Sequence, residues 1–583
     1  MNMMSTPAPN ASAGSIDEQA HAAWAGACSS LAPESIMQAW LDWGSHLAAS
    51  PGKRLELAQL ALDQGGQLAA YLRECLLAGP GAARACIEPP EHDTRFAAPE
   101  WRQWPFNLLH QSFLLKERWW SEATHGVWGV ERHHEDVVAF MVRQWLDVFS
   151  PGNQLGTNPL VLQRTAKEGG ANLARGMTAL AAKLGRMASH APDPGTENFI
   201  VGRDVGITPG KVVLKNHLIE LIQYTPGTAS VYPEPILIVP AWIMKYYILD
   251  LSAHNSLIAY LVGQGHTVFC ISWRNPGSAD RELSMDDYLE LGVAAALAAI
   301  NTIVPRKRVH ATGYCLGGSL LAIAAAAMAR DGDDRLASLS LFAAQTDFSE
   351  PGELGLFIDE GQISMLEAQM AQTGYLTGAQ MGGAFEMLRS YDLLWSRMVN
   401  DYLLATPTPM NDLMAWNADT TRMPARMHSQ YLRRLFLNND LSEGRYPVGG
   451  KPVALSDIVL PMFCVGTVAD HVAPWRSVYK LHHETVAEIT FVLTSGGHNA
   501  GIVSEPGHPH RHYQIETRPS GAPYVAPDAW ALAAPRREGS WWPAWSAWLA
   551  ARSGAPEAPP QAGAPALGYA VIGAAPGTYV LEK

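Results

Sequence analysis

The sequence predicts an α/β fold in which a helical N-terminal domain precedes a sheet covered by helices on both faces. Three observations predict it. Short runs of β-branched residues alternate with helical patterns after residue 198, a Gly-x-Cys-x-Gly turn at 313–317 joins one such run to an apolar helical stretch, and more than a hundred residues without a strand pattern interrupt the later strands. Strands that alternate with helices favour a parallel sheet.

The first 197 residues predict helices. Residues 1–16 are rich in Ser, Ala, Pro and Asn and lack the basic start and apolar core of a secretory signal, so we expect a disordered segment and no export. Segments such as Arg54–Leu77 and Glu135–Val148 then carry apolar residues at three- and four-residue spacing. An α-helical domain over 17–197 follows, with a turn-rich break at 191–195.

Residues 198–552 predict the α/β domain. The expected strands are Val212–Lys215, Leu218–Tyr224, Ile236–Val239, Thr267–Ser272, Arg308–Thr312, Ser338–Ala343, Met462–Gly466 and Thr490–Thr494. The long interruption predicts a cap inserted at about 346–460 over the carboxyl edge of the sheet, where the active sites of such folds lie. The tail at 553–583 is rich in Ala, Pro and Gly and predicts a flexible connection before the ordered-looking Pro576–Val580.

Composition excludes several functions. The net charge is −13, from 42 Lys+Arg against 55 Asp+Glu, and no basic stripe is present, so nucleic-acid binding is not expected. Six scattered cysteines without a C-x-x-C pair argue against a disulfide framework and suit a reducing cytosol. No apolar run approaches the ~20 residues of a transmembrane helix, so no transmembrane segment is expected.

The hexapeptide Gly313-Tyr314-Cys315-Leu316-Gly317-Gly318 has the pattern of the nucleophile elbow of α/β-hydrolases, with cysteine in place of serine. A strand at Arg308–Thr312 precedes it and an apolar helix at Leu320–Ala329 follows, as the elbow requires. The N-terminus of that helix favours negative charge on the sulfur. A buried structural cysteine is the alternative interpretation of the motif alone.

In this fold the nucleophile, the acid and the histidine follow one another along the chain, the last two on loops after late strands. Asp470 follows the strand at Met462–Gly466, and His498 follows the strand at Thr490–Thr494, so Cys315, Asp470 and His498 fit that order. Taken alone, Asp470 could be a turn residue. Asp347, after an earlier strand, is the alternative acid, and His471 is interpreted as a loop residue beside the acid.

His508, His510 and His512 suggest a metal site, but no cysteine or carboxylate cluster accompanies them, so we interpret them as a solvated loop and expect no metal. A cysteine paired with histidine is a strong nucleophile near neutral pH. It exchanges readily with thioesters, because the attacking and departing groups are both thiols. An acyl-thioester substrate such as an acyl-CoA follows, and no cysteine-protease signature is present.

Motifs along the chain from about Asp93 resemble those of the polyhydroxyalkanoate synthases. The matches are Asp93-Thr94-Arg95-Phe96, Pro99-Glu100-Trp101, Ser150-Pro151-Gly152-Asn153, Thr157-Asn158-Pro159, Lys245–Leu251, Ser272–Pro276, the Cys315 turn, Trp416-Asn417-Ala418-Asp419 and Gly539–Pro543. The complete N-terminal domain is similar to that of the long, single-component (class I) synthases.

The resemblance implies an acyltransferase that polymerises (R)-3-hydroxyacyl-CoA into polyester and releases CoA. Cys315 would carry the acyl group as a thioester, His498 would deprotonate the thiol, and Asp470 would orient His498 and help to activate the 3-hydroxyl. The backbone N–H groups of Leu316 and of a residue near Ile243 would bind the oxyanion. The resemblance also implies no cofactor, a homodimer, and a cytoplasmic location at the surface of polyester granules.

The sequence departs from the family pattern near the predicted site. Trp242 and Met244 replace a smaller residue and an amide before Lys245, so we interpret both as candidates for the substrate pocket, and Asn499 stands where the family usually has isoleucine. A thioesterase or polyester hydrolase on the same scaffold is the alternative function. A non-catalytic granule-binding protein is the third hypothesis, and the complete triad argues against it.

Overall fold

A computed structural model describes residues 20, 24–25, 31–79, 83–89, 93–189, 191–388 and 394–583. The expected disordered segment 1–16 lies outside these residues. The described chain forms two compact units. One contains the helices within 28–194 together with 383–409, and the other contains 195–382 and 410–583.

The first unit is helical. Its core contains Phe96, Trp101, Phe113 and Leu114, and the rings of Phe96 and Trp101 form a T-shaped contact. The helices are Pro33–Ala49, Pro51–Ala78, Phe106–Thr124, Arg132–Val148, Pro159–Lys167 and Ala171–Ser189.

Part of the expected cap groups with this helical unit rather than with the sheet. The segment Met398–Leu403 packs on helix Ala171–Ser189, where Asn172 Nδ2 donates to the carbonyl of Leu403 at 2.7 Å. Gly176 lies so close that a Cβ there would be 1.7 Å from the carbonyl oxygen of Tyr402. The helical unit therefore includes residues that follow it by some two hundred positions in the chain.

The second unit contains an eleven-stranded sheet. In chain order its strands are β1 Gly210–Lys215, β2 Ile219–Tyr224, β3 Ile236–Val239, β4 Val268–Trp273, β5 Val309–Tyr314, β6 Leu336–Phe342, β7 Met462–Thr467, β8 Ile489–Thr494, β9 His512–Arg518, β10 Arg536–Glu538 and β11 Gly573–Ala574. Their order across the sheet is β10-β9-β8-β7-β6-β5-β3-β4-β2-β1-β11. All eight predicted strands are present.

The expectation of a parallel sheet is correct only for its centre. The six strands β3 to β8 pair in parallel, whereas β2, β1 and β11 on one side and β9 and β10 on the other pair antiparallel. The central strands are buried along their whole length because helices cover both faces. Their carboxyl ends meet at one edge, and the loops that leave this edge carry the candidate site.

The structure differs from the expected flexible C-terminal connection, because Glu557 pairs with Val231 and the carbonyl of Gln561 accepts from Gln223 Nε2. Gly573–Ala574 pairs with β1, and Tyr579 and Val580 are buried. A Cβ on Gly577 would lie 2.3 Å from Oε2 of Glu220 and 3.2 Å from Cγ2 of Val212, so this glycine lets the backbone pass close to the sheet.

The helices of this unit flank the sheet or lie in the loop region at its carboxyl edge. They are Leu257–Gly263, Ala295–Ile303, Leu316–Asp331, Glu360–Thr373, Asp412–Ala418, Ala425–Tyr431, Trp475–Tyr479, Leu481–Glu484, Pro527–Ala533 and Trp542–Ala550. Helix Gly378–Leu388 begins in this unit, and its residues from Gly383 onward group with the helical unit. Trp541 and Trp545 pack edge-on against Phe342 of β6 in the core. Among the described helices none is both long and apolar enough to cross a bilayer.

Candidate active site

Cys315 occupies the tight turn between β5 and helix Leu316–Asp331. Its backbone has φ 52° and ψ −127°, a conformation that L-residues rarely adopt and that is typical of strained functional turns. The glycines beside it are needed for space. A Cβ on Gly317 would lie 2.2 Å from the carbonyl oxygen of Val239, and one on Gly313 would lie 2.4 Å from the Cα of Gly318. The structure therefore places the cysteine in the elbow predicted from the sequence.

Asp470 and His498 meet at the carboxyl ends of β7 and β8. The Nδ1 of His498 is 2.8 Å from Oδ2 of Asp470. That carboxylate also accepts the Thr467 hydroxyl at 2.9 Å and, through Oδ1, the N–H groups of Val472 and Ala473 at 2.9 and 2.8 Å. The Asp470 side chain is fully buried and that of His498 is 14% exposed. Asp470 is thus held rigidly and presents one oxygen to the imidazole.

The half-buried Cys315 side chain lies close enough to His498 to affect the charge of its imidazole. Because Asp470 occupies Nδ1, Nε2 is the nitrogen left to accept a proton from the thiol. Burial disfavours the charged imidazole, but the nearby Asp470 and Cys315 more than offset this and raise the pKa of His498 well above its ordinary value. Burial would raise the pKa of Asp470, and the positive charge and hydrogen bond of His498 outweigh it and lower that pKa.

Two tyrosines near the cysteine carry no signal in the sequence. Tyr314 precedes Cys315 and donates its hydroxyl to Oδ1 of Asn499 at 2.5 Å, so the departure noted at Asn499 links the elbow to the histidine loop. Burial, with the adjacent charges of Cys315 and Asp470, raises the Tyr314 pKa well above its usual range. Tyr431, from helix Ala425–Tyr431, lies near enough for the charge of Cys315 to reinforce a similar rise caused by burial.

The predicted oxyanion donors lie on two adjoining segments. Leu316 is the first residue of the helix after the elbow, so its N–H has no intrahelical partner. Ile243 lies in the loop after β3. This loop begins at Pro240, whose carbonyl oxygen would be 2.5 Å from a Cβ on Gly317. Trp242 is buried and packs its ring 5.4 Å from Tyr288 and 6.4 Å from Tyr431, whereas Met244 is only partly buried.

The alternatives considered from the sequence lie elsewhere. The Asp347 carboxylate accepts from the backbone N–H and the hydroxyl of Ser349 and is 3.7 Å from Lys480. His471 is exposed. In the part of the chain that the structure describes, His508, His510 and His512 do not group with other possible metal ligands. The carboxylate that contacts His498 is that of Asp470.

Family models match three regions of the chain. Residues 92–261 match the N-terminus of poly-beta-hydroxybutyrate polymerase, residues 11–53 match a second model of the N-terminal part of this polymerase, and residues 234–505 match the alpha/beta hydrolase fold. A poly(3-hydroxyalkanoate) polymerase of Methylorubrum extorquens is 41% identical over 555 residues, which cover 94% of this chain and 89% of the relative. The chain belongs to the poly(3-hydroxyalkanoate) polymerase family. The family resemblance predicted from the motifs is confirmed.

Other relatives agree on the extent of the match. The PhaC subunit of the poly(3-hydroxyalkanoate) polymerase of Cupriavidus necator is 34% identical over 568 residues, 93% of this chain and 95% of the relative. These matches include the helical N-terminal region, so the chain is an enzyme of the long polymerase type. Among solved structures, a monoacylglycerol lipase of Paleococcus ferrophilus is 12% identical, with a TM-score of 0.33, over 57% of this chain and 99% of the lipase. The sheet order and the family match establish the predicted α/β-hydrolase fold.

Proposed function

We propose that this chain polymerises (R)-3-hydroxyacyl-CoA into polyhydroxyalkanoate and releases CoA, with Cys315 as the covalent nucleophile. The observation that carries the proposal is the hydrogen bond of His498 to the buried Asp470, with the elbow cysteine close enough to raise the pKa of that imidazole. The names of the relatives supply the reaction class. The site supplies a thiol, a base that receives its proton, and a carboxylate that fixes the base.

In the first half-reaction the Cys315 thiol gives its proton to Nε2 of His498, and Sγ attacks the thioester carbon of the acyl-CoA. The carbonyl oxygen becomes an oxyanion, which the N–H groups of Leu316 and Ile243 would bind. Each such donor is worth about 10²–10³ in rate in other acyl-transfer enzymes. The bond to the CoA sulfur then breaks, and CoA leaves as a thiol with the proton from His498.

In the second half-reaction the 3-hydroxyl of another hydroxyacyl group gives its proton to His498, and its oxygen attacks the Cys315 thioester. The carbon–sulfur bond to Cys315 breaks, the thiol recovers the proton, and one ester bond has formed. Asp470 acts in both steps by orienting the His498 imidazole and stabilising its protonated form. Its side chain is fully buried and its oxygens already accept four hydrogen bonds, so direct contact with the substrate hydroxyl is not part of this proposal.

We also propose that the enzyme prefers short 3-hydroxyacyl groups. Bulky Trp242 follows β3 beside the elbow, and its contacts with Tyr288 and Tyr431 leave it little freedom to move. The measurement is the ratio of kcat/KM for (R)-3-hydroxybutyryl-CoA to that for (R)-3-hydroxyoctanoyl-CoA. A ratio below one would refute the preference without affecting the reaction class.

The function is tested by incubating wild type, Cys315→Ser and Cys86→Ser with (R)-3-hydroxybutyryl-CoA and following both CoA and product. Cys86 is a half-buried thiol of the helical unit and serves as the matched control. We expect polymer from wild type and Cys86→Ser, and little CoA release from Cys315→Ser. Free 3-hydroxy acid as the main product would instead favour the thioesterase or polyester hydrolase.

The homodimer and the cytoplasmic granule surface are proposals taken from the family resemblance. Sedimentation velocity, with and without substrate, tests the dimer. Co-sedimentation of the enzyme with polyester granules tests the granule location, with matched protein-free granules as control. A monomer at full activity, or enzyme that stays in the supernatant, would refute the respective proposal.

A further inference from the structure

We infer that Thr421 is a positioning residue that aims the Ile243 N–H at the acyl oxyanion, and that a clasp formed by residues 578–583 holds it there. The inference rests on the proposed function, because it assigns the second oxyanion donor of that reaction. Thr421 lies just after the Trp416–Asp419 motif. No role for this part of the chain follows from the triad.

Thr421 makes two hydrogen bonds to the loop after β3. Its hydroxyl donates to the carbonyl of Trp242 at 2.7 Å, and its backbone N–H donates to the carbonyl of Ile243 at 3.3 Å. Thr421 itself is buried. One residue therefore fixes two successive peptide groups of this loop.

The first of these bonds sets the direction of the Ile243 N–H. The carbonyl of Trp242 and the N–H of Ile243 belong to the same peptide group, which is trans, so the two point in opposite directions. With the carbonyl held by Thr421, the N–H must point away from it. Within the described residues this N–H has no hydrogen-bond acceptor, as a donor reserved for substrate requires.

The segment around Thr421 is itself anchored by the clasp. Lys583 Nζ is 2.7 Å from Oδ1 of Asp419, and Arg422 donates to the carbonyl oxygen of Lys583 at 2.9 Å. Tyr247 donates to the other oxygen of Asp419 at 3.0 Å. Residues on both sides of Thr421 are thus bound to the clasp.

The clasp also contacts the loop directly through Lys245, a loop residue that is 3% exposed. Its Nζ donates to the carbonyl of Glu582 at 2.6 Å and to that of Tyr579 at 3.4 Å. At its other end the clasp is fixed to β2, where the buried carboxylate of Glu220 accepts the N–H groups of Thr578 and Tyr579 at 2.7 and 2.9 Å. The loop is therefore held against the sheet from outside the active site.

The test compares Thr421→Val, which replaces the hydroxyl by a methyl group, with Thr421→Ser, which keeps the hydroxyl. Thr312→Val is the matched control, since Thr312 is buried in β5 and its hydroxyl has no partner within the described residues. We expect Thr421→Val to lower kcat for CoA release from (R)-3-hydroxybutyryl-CoA by about 10- to 100-fold while KM changes by less than about threefold. Thr421→Ser should recover most of the loss, and Thr312→Val should behave as wild type.

A second reaction separates this role from damage to the nucleophile. Alkylation of Cys315 by iodoacetamide forms a sulfur–carbon bond, expels iodide and develops no oxyanion. We expect its rate to be unchanged in Thr421→Val. An equal fall in the rates of alkylation and CoA release would overturn the inference, because the thiol itself would then be affected.

Hydrogen exchange of the peptide spanning 241–250 tests the positioning without reference to activity. We expect faster exchange in Thr421→Val and in Lys245→Met, and wild-type protection in Thr421→Ser and in Lys307→Met, whose side chain contacts Glu557, outside both the clasp and the loop. Unchanged protection together with unchanged kcat in Thr421→Val would overturn the inference. Wild type that released no CoA would instead refute the proposed function, and the exchange result would still decide whether Thr421 holds the loop.

Discussion

Replacing Asp470 by Asn should abolish most of the activity while leaving the local structure in place. The amide oxygen can still accept the N–H groups of Val472 and Ala473, which Oδ1 accepts in the wild type. The amide nitrogen, however, would face Nδ1 of His498 with a donor instead of an acceptor. The imidazole must then carry its proton on Nε2, so it presents a donor to the thiol and cannot receive the Cys315 proton.

A wrong tautomer of this kind costs about 10⁴ in kcat in the well-studied Ser-His-Asp enzymes, and about 10²–10⁴ is expected here, which corresponds to roughly 3–5 kcal/mol. The loss of the Asp470 charge also lowers the pKa of His498, because that charge helps to raise it. Since His498 must be neutral to accept a proton, the acid limb of residual kcat/KM should move to lower pH.

The assay is CoA release from (R)-3-hydroxybutyryl-CoA between about pH 5 and 9, at constant ionic strength. Asp347→Asn is the matched control, because Asp347 was the alternative acid and its carboxylate binds Ser349 and Lys480 instead of His498. Activity of Asp470→Asn within about threefold of wild type, or an acid limb that moves to higher pH, would refute the role given to Asp470.

Three further predictions concern close packing and buried charge. Gly317→Ala should lower the rate of CoA release more than about 100-fold, because the new Cβ would clash with the backbone at Val239 and Pro240. Gly263→Ala is the control and should keep the wild-type rate, since a Cβ there meets nothing within 4 Å. Equal rates in the two variants would contradict the prediction. Arg95→Ala should destabilise the helical unit by about 3–5 kcal/mol in urea unfolding, since Asp93, Glu117 and Asp147 would lose their shared cation, and a change below about 1 kcal/mol would refute it. Burial lowers the pKa of His266, His310, His428 and His482 to about 4, so these four should bind protons more readily when unfolded. Stability should therefore fall between pH 6.5 and 5 by up to about 2 kcal/mol per histidine, and an equal free energy of unfolding at both pH values would contradict it.

Chain order and strand ends were enough to predict the positions of Cys315, Asp470 and His498. The central strands are buried on both faces and therefore appear as continuous apolar runs, and the fold places their carboxyl ends together. Elbow, acid and base each follow such a run, so the sequence predicts their proximity without side-chain detail. The hydrogen bond between His498 and Asp470 agrees with that prediction, and the catalytic roles of all three residues stay a proposal.

Other features have no comparable pattern. Strand β9, His512–Arg518, lies next to the edge strand β10 and carries only Tyr513 and Ile515 as large apolar residues, so no apolar run marks it. The short β11 has two small residues and forms only by pairing with β1. Tyr431 and Thr421 approach the site from more than a hundred positions after Cys315, and only the folded arrangement brings them there.

The most direct test of the account is to find the acyl group on the nucleophile. Wild type and Cys315→Ala are mixed with (R)-3-hydroxybutyryl-CoA, quenched in acid and digested, and the peptide containing residue 315 is analysed by mass spectrometry. We expect a hydroxybutyryl or oligomeric adduct on Cys315 of the wild type that appears as CoA is released, with no adduct and no release in the variant. An adduct on a different residue, or CoA release by Cys315→Ala at the wild-type rate, would contradict it.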